Sequence, residues 1–239
     1  MAEKYLDYWN ENIDRWGDKY LEISHGQESF DRPAWFVAAY NATIGRIERR
    51  LMKERYKRTV NFIHEHVTPG ISFSDLGCGT GIFVVEAARR GAIVTAVDFS
   101  ESSLQTTRKT VANHAPDASV TYVQADVQKA SLPRVDVTLA MGITPYLTDI
   151  DAFLFNVLPC TKLLCCQYTD PQHWASVIRR TFPVLDVRSL QCYGKEYIDA
   201  LYRKNGALLL KREPFASGYI DVVTTAQPSS ARDTCNALD

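Results

Sequence analysis

The sequence lacks the signatures of a metal centre and of a disulfide-stabilised domain. Its six cysteines form no C-x-x-C pair, and its five histidines form no paired motif. Zinc sites are usually recognised by such closely spaced ligands, so we expect no metal. Cys165 and Cys166 are neighbours in an apolar run, where consecutive strand side chains face opposite sides of a sheet. This usage predicts reduced thiols in a cytoplasmic protein.

Long hydrophobic runs and an excess of one charge are also missing. No apolar run approaches the ~18 residues of a membrane-spanning helix, and the first residues contain no apolar core of signal-peptide type. The formal net charge of the chain is -1. Such a balance produces no global field that attracts nucleic acid or an anionic membrane. We therefore expect a cytoplasmic protein with a small-molecule substrate and no nucleic-acid partner.

The composition that is present suits one globular domain with an appendage. The chain has 239 residues, of which 46% are hydrophobic and 23% are charged. Apolar runs alternate with helical patterns after residue 68, which favours an α/β protein with a mostly parallel sheet covered on both faces. Two final runs, 207–212 and 219–225, predict an antiparallel pair at one edge. We predict a helical arm and cap (1–67), a core (68–226) and a disordered tail (227–239).

The most informative stretch, residues 71–100, has the pattern of strand, glycine loop, helix and strand. Its loop turns through Gly77, Gly79 and Gly81, and its second apolar run ends at Asp98. Glycines let the main chain turn sharply and approach a ligand closely, because they carry no Cβ. The unit therefore predicts a nucleotide cradle with a carboxylate at the strand end.

The glycine spacing restricts the ligand. It is G-x-G-x-G, whereas a dinucleotide fold requires G-x-G-x-x-G. Asp75 stands two positions before the first glycine, where it would repel a phosphate and attract a positive group. Gly81 is followed by Ile82 and Phe83, so the lysine of a phosphate-binding loop is missing, and no Tyr-x-x-x-Lys pair occurs. These features predict a nucleoside with a cationic appendage and no phosphate.

The segment D-L-G-C-G-T-G (75–81), followed by Asp98 and Asp126, resembles the class I S-adenosylmethionine-dependent methyltransferase family over about residues 71–167. The resemblance implies a Rossmann-like, doubly wound, mostly parallel sheet of seven strands with an N-terminal helical arm or cap. It also implies S-adenosylmethionine as the cofactor and S-adenosylhomocysteine as the product. The cofactor-binding residues that it implies are Asp75, Gly77, Cys78, Gly79, Gly81, Asp98, Phe99, Ser100, Asp126, Val127, Met141 and Gly142.

The resemblance also implies a role for the principal members of this set. Asp75 lies toward the ammonium end of the methionine part, and the loop glycines let the backbone lie against it. Asp98 accepts hydrogen bonds from the ribose hydroxyls, and Asp126 accepts one from the adenine amino group. Met141 and Gly142 line the methyl end of the cofactor.

A second resemblance concerns the arm. The aromatic and charged residues between Tyr8 and Tyr20 are similar to the arm of magnesium-protoporphyrin O-methyltransferases and, more loosely, of ubiquinone-pathway O-methyltransferases. In those families a tyrosine of the arm and a histidine after the fourth strand border the transferring methyl group. Tyr20 falls at the tyrosine, but Tyr146 falls near the histidine, so this chain departs from the pattern there.

Four residues are candidate catalytic groups: Tyr20, Tyr146, His25 and His173. A tyrosine titrates near ~10, so Tyr146 is better suited to orient an acceptor than to deprotonate it. His25 belongs to a polar part of the arm and His173 follows a proline, and for both a surface position is the alternative. A carboxylate or phenolate acceptor needs little or no base, whereas a sugar hydroxyl needs one.

A basic run between Arg46 and Arg58 occupies the polar side of a predicted helix or broken helix pair that extends from Pro33 to Val67. Such a run is typical of a solvated helix face. The alternatives are a patch for an anionic substrate, a peripheral membrane contact through residues 33–58, and the interface of a homodimer.

Three functions remain open at the level of sequence. The first is O-methylation of a small-molecule, sugar or lipid-linked acceptor. The second is methylation of a nucleic-acid base, because the turn 144–146 resembles the proline–aromatic turn of amino-methylating enzymes, in which the ring stacks on a flipped base. The third is a non-catalytic protein that binds S-adenosylmethionine.

Overall fold

The computed structural model describes residue 13 and residues 33–42, 44–181 and 190–225. The first 32 residues apart from Ile13, and all of the predicted tail, lie outside the described residues.

One mixed sheet of seven strands forms the centre of the described structure. The strands are β1 (Ser72–Leu76), β2 (Ile93–Asp98), β3 (Val120–Gln124), β4 (Val135–Ala140), β5 (Thr161–Thr169), β6 (Ala207–Phe215) and β7 (Gly218–Thr225). Their order across the sheet is β3-β2-β1-β4-β5-β7-β6. The first five strands are parallel, and β7 runs antiparallel to both of its neighbours. The predicted mostly parallel sheet with an antiparallel pair at one edge is therefore confirmed.

Helices cover both faces of this sheet. Those described are α1 (Ala34–Ala42), α2 (Ile44–His66), α3 (Ile82–Arg89), α4 (Glu101–His114), α5 (Ile150–Val157), α6 (Trp174–Thr181) and α7 (Lys195–Lys204). Phe62 of α2, Val84 of α3 and Leu104 of α4 belong to one buried apolar cluster. Phe153 of α5 and Ile198 of α7 belong to the other. The two clusters are the two layers of a doubly wound fold.

The loops that matter for function meet at one edge of the sheet. Strands β1, β2 and β4 are adjacent and parallel, so the loops that follow them lie at the same edge. The glycine loop follows β1, and Asp98 is the last residue of β2. Met141 follows β4 directly. Ligands of open α/β sheets bind at this carboxyl edge, where the strand order reverses.

A buried polar network fixes the antiparallel end of the sheet. Asp221 of β7 is fully buried, and both of its carboxylate oxygens accept hydrogen bonds of 2.7 Å from the guanidinium of Arg212. The hydroxyl of Tyr202 donates to Asp221 at 3.1 Å, and Arg212 also pairs with Asp199 at 2.8 Å. Tyr202 and Asp199 belong to α7, so the network joins this helix to the β6–β7 hairpin. Removing Arg212 would leave the buried carboxylate of Asp221 uncompensated.

The basic run between Arg46 and Arg58 lies within α2. The prediction that it forms a solvated helix face is wrong for one of its residues. Lys53 and Lys57 are exposed, and Arg58 forms an ion pair with Glu54 at 2.8 Å. Arg55, however, is only 7% exposed. None of the described helices combines the length and apolarity that crossing a bilayer requires. The peripheral membrane contact and the homodimer stay predictions.

Candidate functional site

The glycine loop exposes its main chain because its residues adopt left-handed backbone angles. Gly77 has φ 74° and Gly79 has φ 55°. A Cβ added at Gly77 would lie 3.0 Å from Cδ1 of Ile143, which shows how closely the neighbouring loop approaches. The N–H of Gly77 donates to the carbonyl of Val97 at 2.7 Å and thereby ties the loop to β2. The sequence needs glycine here for both conformation and space.

Asp98 connects the end of β2 to the glycine loop. Its Oδ2 accepts the N–H of Gly79 at 3.0 Å, and its Oδ1 accepts the N–H of Ser100 at 3.0 Å. The carboxyl is 5% exposed. Burial raises the pKa of Asp98 to about 6, although the N–H groups of Ser100 and Gly79 favour the charged form and oppose the rise. The carboxylate therefore stands fixed and desolvated beside the loop.

Asp75 is buried more deeply, in β1 just before the loop. It is 2% exposed, and burial together with the nearby negative charge of Asp98 raises its pKa to about 8. Within the described residues, its Oδ2 has no hydrogen-bond partner. A buried polar oxygen without a partner is unfavourable by about 1–3 kcal/mol. A positively charged ligand in reach of Asp75 would relieve this penalty.

A cavity opens between these elements at the carboxyl edge of the sheet. It is lined by the glycine loop, by the end of β2 and by the loop that follows β4. Among the described residues of its wall, Asp98 is the one acid and Arg55 the one basic side chain. The lining residues are Ile13, Arg55, Gly77, Cys78, Gly79, Thr80, Ile82, Phe83, Asp98, Phe99, Ser103, Ala125, Val127, Met141, Gly142, Ile143 and Tyr146.

Most residues of the cavity wall lie in a segment that matches a known protein family. The pattern of the family described as a methyltransferase domain matches residues 73–162, from β1 to the start of β5. This segment contains the glycine loop, Asp98 and the loop after β4. Residues 73–162 are therefore a methyltransferase domain of the class I, S-adenosylmethionine-dependent type.

Two known methyltransferases are similar to part of this chain. The ribosomal protein L11 methyltransferase of a Nitratiruptor species is 32% identical over 108 residues, which cover 41% of this chain and 38% of that protein. The mitochondrial ubiquinone biosynthesis O-methyltransferase of Schizosaccharomyces pombe is 30% identical over 95 residues, which cover 39% of this chain and 35% of that protein. The chain thus spans less than half the length of these two relatives.

A solved structure shows the same fold over nearly the whole chain. The magnesium protoporphyrin IX methyltransferase of Synechocystis PCC 6803, crystallised with bound SAH, aligns with a TM-score of 0.68. The alignment covers 94% of this chain and 99% of that one, at 14% sequence identity. The predicted Rossmann-like methyltransferase fold is confirmed, while the low identity leaves the substrate to be argued from the site itself.

Eight of the twelve predicted cofactor-binding residues line the cavity of this methyltransferase: Gly77, Cys78, Gly79, Asp98, Phe99, Val127, Met141 and Gly142. The other four are not among its lining residues. Asp75 belongs to β1, and Gly81 begins α3 with φ 78°. The Ser100 side chain caps α4, and Asp126 accepts the backbone N–H two residues further on at 3.1 Å. These four residues shape the strand end and loops that support the wall.

Tyr146 is the one predicted catalytic residue that the structure places in the cavity wall. It is 6% exposed and ends a short 3₁₀ turn, Thr144–Tyr146, after β4. Tyr20 and His25 lie outside the described residues, and their roles stay predictions.

His173 does not line the cavity. It immediately precedes α6, and its Nδ1 accepts the N–H of Ala175 at 3.2 Å, as a helix-capping side chain does. Its ring also lies 5.5 Å from the ring of Trp174. The local contacts of His173 therefore account for it without a catalytic role.

Arg55 lines the cavity, although the sequence analysis assigned the basic run that contains it to a solvated helix face. Its Nη1 lies 3.5 Å from Oε1 of Gln167, and its Nη2 lies 2.9 Å from Sδ of Met52. A Cβ added at Gly142 would overlap Nη1, so the guanidinium fills the space beside that glycine. One signal was present in the sequence, because Arg55 lies about two helical turns before the buried Phe62 and so shares its face.

Ile13 is the one described residue of the first 32, and it reaches the same cavity. It is 4% exposed, and its Cδ1 would lie 3.4 Å from a Cβ at Gly79. This contact agrees with the prediction that the arm borders the ligand site. The part that the resemblance gives to Tyr20 of this arm stays a prediction.

Proposed function

We propose that this protein transfers the methyl group of S-adenosylmethionine to an oxygen atom of a small-molecule, sugar or lipid-linked acceptor. The proposal is carried by one observation: the glycine loop and Asp98 face the same cavity as Met141 and Tyr146. The residues that the resemblance assigns to the cofactor and the candidate catalytic residue Tyr146 thus border one cavity.

The residues at the carboxyl edge fit S-adenosylmethionine. The unpartnered Oδ2 of Asp75 suits the ammonium group of a methionine. Gly77 and Gly79 line the cavity with bare backbone, because they carry no Cβ. A flat or extended ligand can therefore lie directly against the main chain. Asp98 would accept the ribose hydroxyls, and its fixed carboxylate is already aimed by two backbone N–H groups.

When bound, S-adenosylmethionine supplies a methyl carbon attached to a positively charged sulfur. The protein's own contribution is to hold the acceptor atom near that carbon and to exclude water. Holding two reacting groups in the correct geometry can supply about 7–11 kcal/mol of rate acceleration. Phe83, Met141 and Ile143 give the wall the apolar surface that keeps water out.

The wall also indicates how acidic the acceptor oxygen is. No histidine occurs among the described residues that line the cavity. Tyr146 lines it, but a tyrosine titrates near ~10 and is a poor base at neutral pH. An acceptor that ionises by itself, such as a carboxylic acid or an acidic phenol, needs no strong base. The site therefore suits such an acceptor better than a sugar hydroxyl.

Three observations favour a small acceptor over a nucleic-acid base. Tyr146 is 6% exposed, so little of its ring is available for stacking on an extruded base. Arg58 is engaged by Glu54, and Arg55 faces the cavity instead of a phosphate backbone. The name of the ubiquinone biosynthesis O-methyltransferase, one of the relatives, also supports O-methylation.

Calorimetric titration with S-adenosylmethionine tests the cofactor. We expect binding by the wild type and a loss of at least about tenfold in Asp98→Ala, because a charged hydrogen-bond partner contributes about 1.5–3 kcal/mol. Asp117→Ala removes an exposed acid elsewhere and serves as the control. Absence of binding by the wild type would refute the proposal.

Transfer of a radiolabelled methyl group to panels of acceptors tests the reaction. Panels of phenols and carboxylic acids should become labelled on oxygen, and RNA and DNA should not. Strong salt-dependent binding of RNA, with label in its bases, would instead establish the nucleic-acid alternative. Cofactor binding without transfer to any class would favour the non-catalytic alternative.

A further inference from the structure

We propose that a groove between α2 and the β6–β7 hairpin is a second binding site, for an uncharged molecule with an apolar body and one hydrogen-bonding group. The groove measures about 490 Å³, within the range of about 300–1,000 Å³ that is usual for small-molecule sites. Its described lining differs from that of the cavity at the carboxyl edge except for Met141. The site therefore goes beyond the proposed methyl transfer, and its test does not depend on that reaction.

The groove exists because the helices on this face of the sheet are unevenly spread. The described helices that contribute to its apolar cluster are α2, α3 and α4. Of these, α3 packs on β1 and β2 and α4 packs on β2 and β3, at the parallel end of the sheet. Neighbouring strands are about 4.8 Å apart, so a helix about 10 Å wide covers about two of them. Part of the surface of β5, β7 and β6 thus stays open beside α2.

The floor of the groove is apolar. Phe62 of α2, Cys165 of β5 and Ile220 of β7 are buried side chains that line it. Val222 lies beside them and is partly buried. Leu210 of β6 also lines the groove and is 55% exposed. Because apolar surface gains free energy when it leaves water, this floor favours an apolar ligand body.

The charged side chains of the groove are paired with one another. Nζ of Lys211 lies 2.7 Å from Oε1 of Glu213, and Nη1 of Arg58 lies 3.8 Å from Oε2 of the same glutamate. Nε2 of His66 lies 4.0 Å from Oε2 of Glu65. Besides this histidine, two positive and two negative side chains line the groove. An ion that enters would lose hydration without meeting an excess of opposite charge, so the groove favours an uncharged molecule.

One buried hydroxyl is available for a polar contact. Thr59 of α2 lines the groove and is 1% exposed. Within the described residues, its Oγ1 has no hydrogen-bond partner. A buried polar atom without a partner is unfavourable, and a threonine hydroxyl can both donate and accept. A hydroxyl or carbonyl group of the ligand would supply the missing partner.

Met141 connects the groove to the cavity at the carboxyl edge. It is the one described residue that lines both spaces. The resemblance assigns it to the methyl end of the cofactor. A molecule in the groove would therefore border the same side chain as a ligand of the cavity.

Displacement of the uncharged fluorescent dye Nile red from the full-length protein tests the class of ligand. The competitors octanol, octanoate and octylammonium have the same alkyl chain and differ in charge. We expect octanol to displace the dye at a concentration at least about tenfold lower than either ion, because the groove offers no net charge to offset the lost hydration. Displacement by either ion at the same or a lower concentration would overturn the proposal, and so would a protein that does not bind the dye.

Three variants assign the binding to the groove. Val222→Trp fills it and should abolish displaceable fluorescence, whereas Phe155→Trp changes an exposed ring on the opposite face of the sheet and should leave it intact. Thr59→Val removes the hydroxyl at nearly constant shape. It should weaken octanol about fivefold, as the loss of one neutral hydrogen bond implies, and should raise the unfolding free energy because the unpartnered oxygen is gone.

Unchanged octanol binding in Val222→Trp or in Thr59→Val would overturn the proposal. If Val222→Trp does not fold, the comparison of the three competitors on the wild type and the octanol affinity of Thr59→Val still decide it.

Discussion

Replacing Asp75 by asparagine should change both the stability of the protein and the way it binds its cofactor. Asp75 is 2% exposed, and its pKa is raised to about 8 because burial and the charge of Asp98 oppose ionisation. At pH 7 the group therefore carries its proton in about nine molecules of ten. A cationic ligand requires the ionised form, so binding should release that proton. Asparagine has the same shape but cannot ionise.

The size of both effects follows from the raised pKa. Above about pH 4 the unfolded chain loses the Asp75 proton while the folded protein keeps it up to about pH 8. Stability of the wild type therefore falls with rising pH in this window, by about 1.4 kcal/mol per pH unit. Between pH 5 and pH 7, Asp75→Asn should gain about 3 kcal/mol of unfolding free energy relative to the wild type. Titration of Asp98 contributes to both proteins and cancels in the difference.

Calorimetry in buffers of different ionisation enthalpy measures the released proton directly. At pH 7 the wild type should release about 0.9 proton from Asp75 on binding S-adenosylmethionine, and the variant about 0.1, which comes from Asp98. The variant should also bind more weakly, since it cannot offset the ammonium charge. Urea unfolding at pH 5 and pH 7 supplies the stability difference. If the wild type releases no proton, or if the variant releases as much, the assignment of Asp75 to the ammonium is wrong.

Three further substitutions separate the roles of loop, site and sheet edge. Gly81→Ala should lower the unfolding free energy by about 2–4 kcal/mol, because the new Cβ would lie 2.7 Å from Cγ2 of Thr107. Gly206→Ala is the control, since Gly206 has a similar φ but open space around it, and its unfolding free energy should fall by only about 1–2 kcal/mol in urea unfolding. Asp98→Asn should retain the fold by circular dichroism but weaken S-adenosylmethionine about tenfold by calorimetry, because an amide offers one acceptor where the carboxylate offers two. Asp221→Ala should lower the unfolding free energy by about 3–5 kcal/mol, because Arg212 would lose its fully buried partner and keep only the half-buried Asp199. The cofactor dissociation constant of this variant should equal that of the wild type; a changed constant would show that the sheet edge communicates with the cavity.

The fold could be predicted from short sequence patterns, because each pattern reflects a requirement of the local structure. Alternating apolar runs mark buried parallel strands, and the glycines at 77, 79 and 81 mark a main chain with left-handed angles. Asp98 ends the second strand of the same strand–loop–helix–strand unit, so its position could be predicted from its spacing in the sequence after the glycine loop. These features lie within about thirty residues, where the sequence spacing alone determines the geometry.

Arg55 could not be placed in the same way, because its surroundings come from distant parts of the chain. Its neighbours include Gln167, which is 112 residues further on, and Gly142 after β4. A charge run on a helix is ordinarily solvated, and Lys53 and Lys57 follow that rule. Arg55, which lies between these two lysines, is buried because of the way α2 packs in the folded protein. The raised pKa of Asp75 is likewise a property of the assembled core and not of the D-L-G motif.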